Sequence, residues 1–202
     1  MSVALLETPP LVPPAGLGPY RRDDYEALPD EPRCELIFGR FQVSPSPSLI
    51  HQFIVSFLLH EFFEIASENG GLALVAPMDV YLAEHSVVQP DLLYIGRQRR
   101  SIAQERIEGA PDLLVEVLSP GSGRRDRDEK MRLYAETGVG EYWIIDPAER
   151  QIEFLINAGD RFMVQGLQGS VYQSPRLPEV RLNVEALWTT VEQRFPGEHP
   201  SS

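Results

Sequence analysis

Pro111-Asp112-Leu113-Leu114-Val115-Glu116-Val117-Leu118-Ser119-Pro120 is the stretch from which the rest of the chain can be organised. Its interior is a nearly continuous apolar run of strand length, the pattern of a central strand covered on both faces. One charge, Glu116, interrupts it. The run closes in the turn Ser119-Pro120-Gly121-Ser122-Gly123, after which Arg124 to Thr137 reads as a helix that stops at Gly138. Glu141-Tyr142-Trp143-Ile144-Ile145-Asp146 is the next strand, ended by Pro147, and strands at Ile152 to Ile156 and Arg161 to Val164 complete the sheet.

Upstream, Tyr20 to Pro29 reads as a short helical turn, and Cys34 to Val43 as a hairpin about Gly39. The loop Ser44-Pro45-Ser46-Pro47-Ser48 leads into a strong helix from Leu49 to Ser67, ended by Asn69-Gly70-Gly71. Extended segments follow at Leu72 to Val75, Asp79 to Leu82 and Val87 to Ile95, and an arginine-rich loop, Arg97-Gln98-Arg99-Arg100, separates them from the central strand. This order predicts a mixed α/β (α+β) domain, residues 20–195, with a mixed β-sheet flanked by helices and additional β-hairpins. Residues 1–19, broken by five prolines, read as an extended arm without the basic start of a signal peptide, and 196–202 as a flexible tail.

At 202 residues, 43% hydrophobic and 24% charged, the composition is that of a globular chain with a real core, which excludes disordered, collagenous and disulfide-stapled classes. A single cysteine, Cys34, allows no intramolecular disulfide and no cysteine metal site, which points to the cytoplasm. The most apolar segment, Phe53 to Ala66, is interrupted by Ser56, His60, Glu61 and Glu64, so no membrane span is expected. A net charge of −12 argues against a protein that grips anionic polymers over its whole surface, so any nucleic acid must meet a local basic patch. Of the eighteen basic residues only Lys130 is lysine. Where arginine has replaced lysine everywhere else, the surviving compact ammonium is a candidate for chemistry.

The chemistry-bearing pattern follows from burial. An unpaired carboxylate in the middle of an apolar strand costs several kcal/mol, so Glu116 must be paired, protonated or bound to a cation. Asp91, between Pro90 and Leu92-Leu93, is in the same position, and Glu35 opens a third strand. Lys130 lies one turn after Asp126 on the helix leaving the Glu116 strand. If the three acids face one another, repulsion forces a proton onto one unless a divalent cation replaces it, and oxygen ligands without cysteine suggest Mg2+ or Mn2+. Such an ion beside a lysine suits hydrolysis of a phosphodiester. The alternative is that the acids are separate strand-end caps and that Lys130 pairs with Asp126 on a solvated face.

Pro90-Asp91, followed twenty-five positions later by Glu116 within Val115-Glu116-Val117-Leu118, resembles the PD-(D/E)XK nuclease motif. More closely, the chain resembles the bacterial Uma-two family of restriction-type endonucleases. The residues that carry this are Cys34 to Gly39, Ser44-Pro45-Ser46-Pro47 followed by His51, Gln89-Pro90-Asp91, Pro111 to Pro120, Asp126 with Lys130 and Tyr134, and Gly138 to Pro147, spanning residues 20–156. The resemblance implies a restriction-endonuclease-like core with Glu35, Asp91 and Glu116 as metal ligands; the first function expected is then a metal-dependent DNA endonuclease, in which a homodimer would let two sites act on two strands. The superfamily pattern places lysine two positions after the second acid, where this chain has Leu118, so the lysine role passes to Lys130.

His51, at a helix start, is a candidate for a phosphate or the water shell of a metal, with helix capping or packing as the alternative. Asp79 is either a further acid of the site or a strand-end carboxylate, and Tyr134 and Trp143 read as core. Arg97, Arg99, Arg100 and Arg106 form one basic patch, and Arg124, Arg125, Arg127, Lys130 and Arg132 a second, each suited to phosphates or to solvated ion pairs. Two other functions fit the same residues: a catalytically inactive nuclease fold serving as an interaction module, and a metal-dependent phosphohydrolase acting on a small substrate.

Overall fold

In the computed structural model, residues 17–29, 32–44, 46–119 and 124–197 are described, without the side chains of residues 124–126. The arm up to residue 16, the turn residues 120–123 and the tail from residue 198 lie outside the described residues. The elements run α1 (Arg22–Glu26), β1 (Cys34–Ile37), β2 (Arg40–Val43), α2 (Leu49–Asn69), β3 (Leu72–Val75), β4 (Val80–Ala83), β5 (Ser86–Val88) and β6 (Leu92–Ile95). A 3₁₀ turn (Arg97–Ile102) leads to β7 (Ile107–Glu108), β8 (Leu113–Val117), α3 (Arg124–Thr137), β9 (Glu141–Asp146), β10 (Gln151–Asn157) and β11 (Phe162–Gln165). The chain ends with β12 (Val171–Gln173), β13 (Arg181–Asn183) and α4 (Val184–Arg194).

The apolar run is the central strand the sequence predicts. β8 pairs in parallel with β9 and antiparallel with β6, inside a six-stranded sheet ordered β11-β10-β9-β8-β6-β3. Its side chains alternate between two cores. Leu113, Val115 and Val117 join Ile54, Leu58 and Phe62 of α2 and Leu187 of α4 on one face. Leu114 joins Leu133 and Tyr134 of α3 and Val80 and Val88 of the neighbouring sheet on the other. Glu116 falls on this second face, so the sequence places a carboxylate where α3 and the two sheets meet.

The mixed α/β architecture flanked by helices forms as read, with its strands divided among separate sheets. A separate five-stranded sheet, ordered β2-β1-β5-β4-β7, stands beside the first, and β12 and β13 form a third pair. The expected strand from Val87 to Ile95 is two strands in different sheets, β5 and β6. Pro90 explains the break, because it supplies no N–H to a ladder. The arginine-rich loop is a 3₁₀ turn, and the segment after Val164, for which no element was expected, holds β12, β13 and α4.

Local chemistry fixes the ends of the elements. The β1–β2 hairpin turns through Phe38 and Gly39, both at positive φ, and a Cβ on Gly39 would lie 2.4 Å from the Gly18 carbonyl oxygen. Ser48 caps α2 by accepting the His51 backbone N–H at 3.2 Å, and Gly70 closes it in the left-handed region. By length and composition alone α2 is long and apolar enough to cross a membrane, a test that a buried core helix also passes. Its apolar content is accounted for by packing, since Ile50, Ile54, Leu58 and Phe62 are all buried against the six-stranded sheet.

One fully buried carboxylate is structural. Glu141 is 0% exposed and accepts hydrogen bonds from the Trp143 indole (3.2 Å), the Tyr172 hydroxyl (3.1 Å) and the Ser174 hydroxyl. It thereby ties β12 and the loop after it to β9. Glu141→Leu strands three donors, and urea unfolding is expected to show a loss of about 3 kcal/mol or more. A loss below about 1 kcal/mol would contradict this role.

Candidate active site

The chain passes from the five-stranded to the six-stranded sheet through Gln89-Pro90-Asp91, and two carboxylates fasten this crossover. On one side the Gln89 backbone N–H donates to Glu35 Oε1 of β1 at 2.8 Å. On the other, Asp91 Oδ2 accepts the Val117 backbone N–H at 2.7 Å. Backbone pairing of β6 with β8 reaches Leu92 opposite Val115, so the Asp91 side chain serves the next free amide of β8 in place of a carbonyl.

Lys130 enters from α3. Its Nζ lies 2.8 Å from Glu35 Oε2 and 2.8 Å from Glu116 Oε1, so one ammonium joins both sheets. Tyr134, one turn further along the same helix face, donates its hydroxyl to Glu116 Oε1 at 2.8 Å. Tyr134 is core, as expected, and is also a site residue, which the apolar neighbours in its sequence conceal. Trp143 is core alone, packed edge-on against Phe62, Phe154 and Tyr172. Among the described residues the partners of Lys130 are the two glutamates, and the side chain of Asp126, the alternative partner, lies outside them.

Glu35, Asp91, Glu116 and Lys130 line one cavity of about 220 Å³, open to solvent, whose walls also include Arg33, His51 and Arg127. Three carboxylates share one ammonium there. Burial pushes the Glu116 carboxyl up to about 7, with Asp91 and Glu35 adding to the rise and Lys130 opposing it. Burial works against the Lys130 ammonium, yet Glu116 and Glu35 outweigh it and hold the amine well above its ordinary range. Lys130 is therefore a fixed positive charge and hydrogen-bond donor rather than a base that accepts a proton from water. The excess negative charge resides on the acids.

Two oxygens are left over. Asp91 uses Oδ2 for its hydrogen bonds and Glu116 uses Oε1, so Asp91 Oδ1 and Glu116 Oε2 receive none among the described residues. These oxygen donors suit a hard divalent cation. Among the described residues no three His, Cys, Asp or Glu side chains are already grouped as a metal cage, and the Lys130 ammonium bridges Glu35 and Glu116.

His51 is turned toward Asp91 rather than toward a phosphate. Its Nε2 lies 3.1 Å from Asp91 Oδ2, within hydrogen-bonding distance. Nδ1 is buried without a partner among the described residues. Asp79 belongs to the neighbouring hollow, where it accepts from the Tyr25 hydroxyl (2.8 Å) and the Gln89 amide (2.9 Å). Arg124, Arg125 and Asp126 occupy the first turn of α3, and their side chains lie outside the described residues.

The first arginine patch is largely spent on internal contacts. Arg99 pairs with Asp112, Arg100 donates to the Gly71 carbonyl, and Arg106 engages Glu26 and Tyr81. It also follows the far end of β6 from Asp91. In the second patch Arg127 pairs with Glu153 and Arg132 with Glu136.

The site thus joins acids from both sheets to a lysine from the helix that follows β8. A crystal structure of a "putative nuclease belonging to DUF820" from Anabaena variabilis matches with a TM-score of 0.72 at 20% identity, over 86% of this chain and 99% of that one. The family model Uma2, "Putative restriction endonuclease", matches residues 22–190. The chain belongs to this family, the Uma-two family of the sequence resemblance. No curated protein matches it.

The charge state of Glu116 is testable through stability. Its folded carboxyl binds a proton more tightly than the unfolded one, so its favourable contribution is complete below the ordinary value of 4.5 and is lost as pH rises through about 7. In chelator-treated buffer, the melting temperature of Glu116→Gln relative to the unaltered protein is expected to rise between about pH 5 and about pH 8. A difference that stays flat or falls would contradict the burial argument.

Proposed function

We propose that the protein is a DNA endonuclease that hydrolyses phosphodiester bonds with Mg2+ or Mn2+. The observation that carries this reading is the shared Lys130 ammonium between Glu35 and Glu116, beside Asp91, in an open cavity. Membership of a family described as restriction endonucleases supports it. Asp91, Glu116 and Glu35 are the residues that would hold the cation, which when bound would polarise a phosphoryl oxygen and make hydroxide available near neutral pH.

The chain's own groups do the rest. Lys130, kept charged, donates hydrogen bonds to the attacking water or a phosphoryl oxygen and offsets charge that builds at phosphorus. Tyr134 fixes the rotamer of Glu116, and His51 fixes that of Asp91, as outer partners do for ligating carboxylates. At a net charge of −12 any attraction for the DNA backbone is local, and Arg33 and Arg127 stand in the cavity wall. Binding is therefore weak, and with so few phosphate contacts its salt dependence is shallow.

The test is nicking of supercoiled plasmid at low salt with Mn2+, with Mg2+ and with chelator. Metal-dependent nicking is expected, reduced about 100-fold or more in Asp91→Ala, Glu116→Gln and Lys130→Met. His51→Gln and Tyr134→Phe should lose roughly tenfold. Nicking that persists in chelator, or that survives Glu116→Gln, would overturn the reading.

A further inference from the structure

We infer that Lys130 is the built-in counter-ion of the carboxylate cluster, competing with the divalent cation and released by it toward substrate phosphate. The inference rests on the metal-dependent reading above and concerns how that metal site is regulated by the chain itself.

Glu35, Asp91 and Glu116 bring three carboxylates to one cavity, with side-chain exposures of 6%, 19% and 13%. Such acids demand compensation in proportion to their burial. Lys130 Nζ stands at the same 2.8 Å from Glu35 Oε2 and Glu116 Oε1, so two of the ammonium's three N–H donors are spent on these acids. It occupies the electrostatic position a cation would take between these two acids.

A divalent cation held by Asp91 and Glu116 brings twice the charge to the Glu116 carboxylate that Lys130 also pairs with, and repels the ammonium at close range. Glu116 then needs Lys130 less, while Glu35 retains it. The amine is thereby freed on the cavity side, able to donate to a phosphoryl oxygen. Metal and phosphate binding become coupled: without metal, the one lysine of the chain is tied down; with metal, it is available. The same competition lowers the site's affinity for cations, since each must displace part of an existing ion pair.

Calorimetric titration of Mn2+ into the protein and into Lys130→Met measures this cost. The variant is expected to bind Mn2+ roughly tenfold tighter or more, although it cleaves less. Equal or weaker binding by Lys130→Met would overturn the inference and leave the metal-dependent reading standing. Absence of Mn2+ binding by both proteins would overturn the reading and the inference together.

If the variant fails to fold, the unaltered chain decides. With one lysine, 15N-lysine labelling gives a single Nζ resonance. On titration with Mg2+ that resonance is expected to shift, and its protons to exchange faster with water, as the bond to Glu116 loosens. An Nζ signal unmoved at saturating Mg2+ would overturn the inference.

Discussion

The ammonium of Lys130 between Glu35 and Glu116 joins three separately built parts of the molecule. Glu35 belongs to the five-stranded sheet, Glu116 to the six-stranded sheet, and Lys130 to the helix that bridges β8 and β9. Buried ion pairs recover little net stability once desolvation is counted, but removing one partner is costly because it leaves the others uncompensated. The contact is better understood as a positional constraint: it dictates where α3 lies against the sheets. Tyr134 follows from it, one turn along and bound to the same Glu116 oxygen.

The crossover Gln89-Pro90-Asp91 is the second half of this design. A strand that changes sheets leaves amides without ladder partners, and here side-chain carboxylates supply them, Glu35 to Gln89 and Asp91 to Val117. The acids that gather in the cavity therefore also close the backbone hydrogen bonding at the junction. Fold and site are not independent features in this protein, since the backbone break that brings the acids together is the one they repair.

Much of this was legible in the sequence. The apolar run around Glu116, the helix from Arg124 to Thr137 and the strand from Glu141 to Asp146 follow from periodicity and turn residues, and each forms as read. Glu116 and Asp91 stand out because a lone acid in an apolar strand is costly, and Lys130 because it is the only lysine. What escaped depends on tertiary contact. The split of Val87–Ile95 turns on Pro90 at a change of sheet, which local apolarity does not reveal. The hydroxyl of Tyr134 and the carboxylate of Glu141 act through partners 18 and 31 residues away in sequence, and the arginines near residue 100 are absorbed by Asp112, Gly71 and Glu26.

The account depends on a cation meeting Asp91 and Glu116 in the cavity that Lys130 guards. The most direct measurement is a crystal of the protein grown with Mn2+, with the ion located by its anomalous scattering. The account predicts a peak within bonding distance of both carboxylates, with Lys130 withdrawn from Glu116. Manganese found only elsewhere on the molecule, with Lys130 still bridging Glu35 and Glu116, would contradict it.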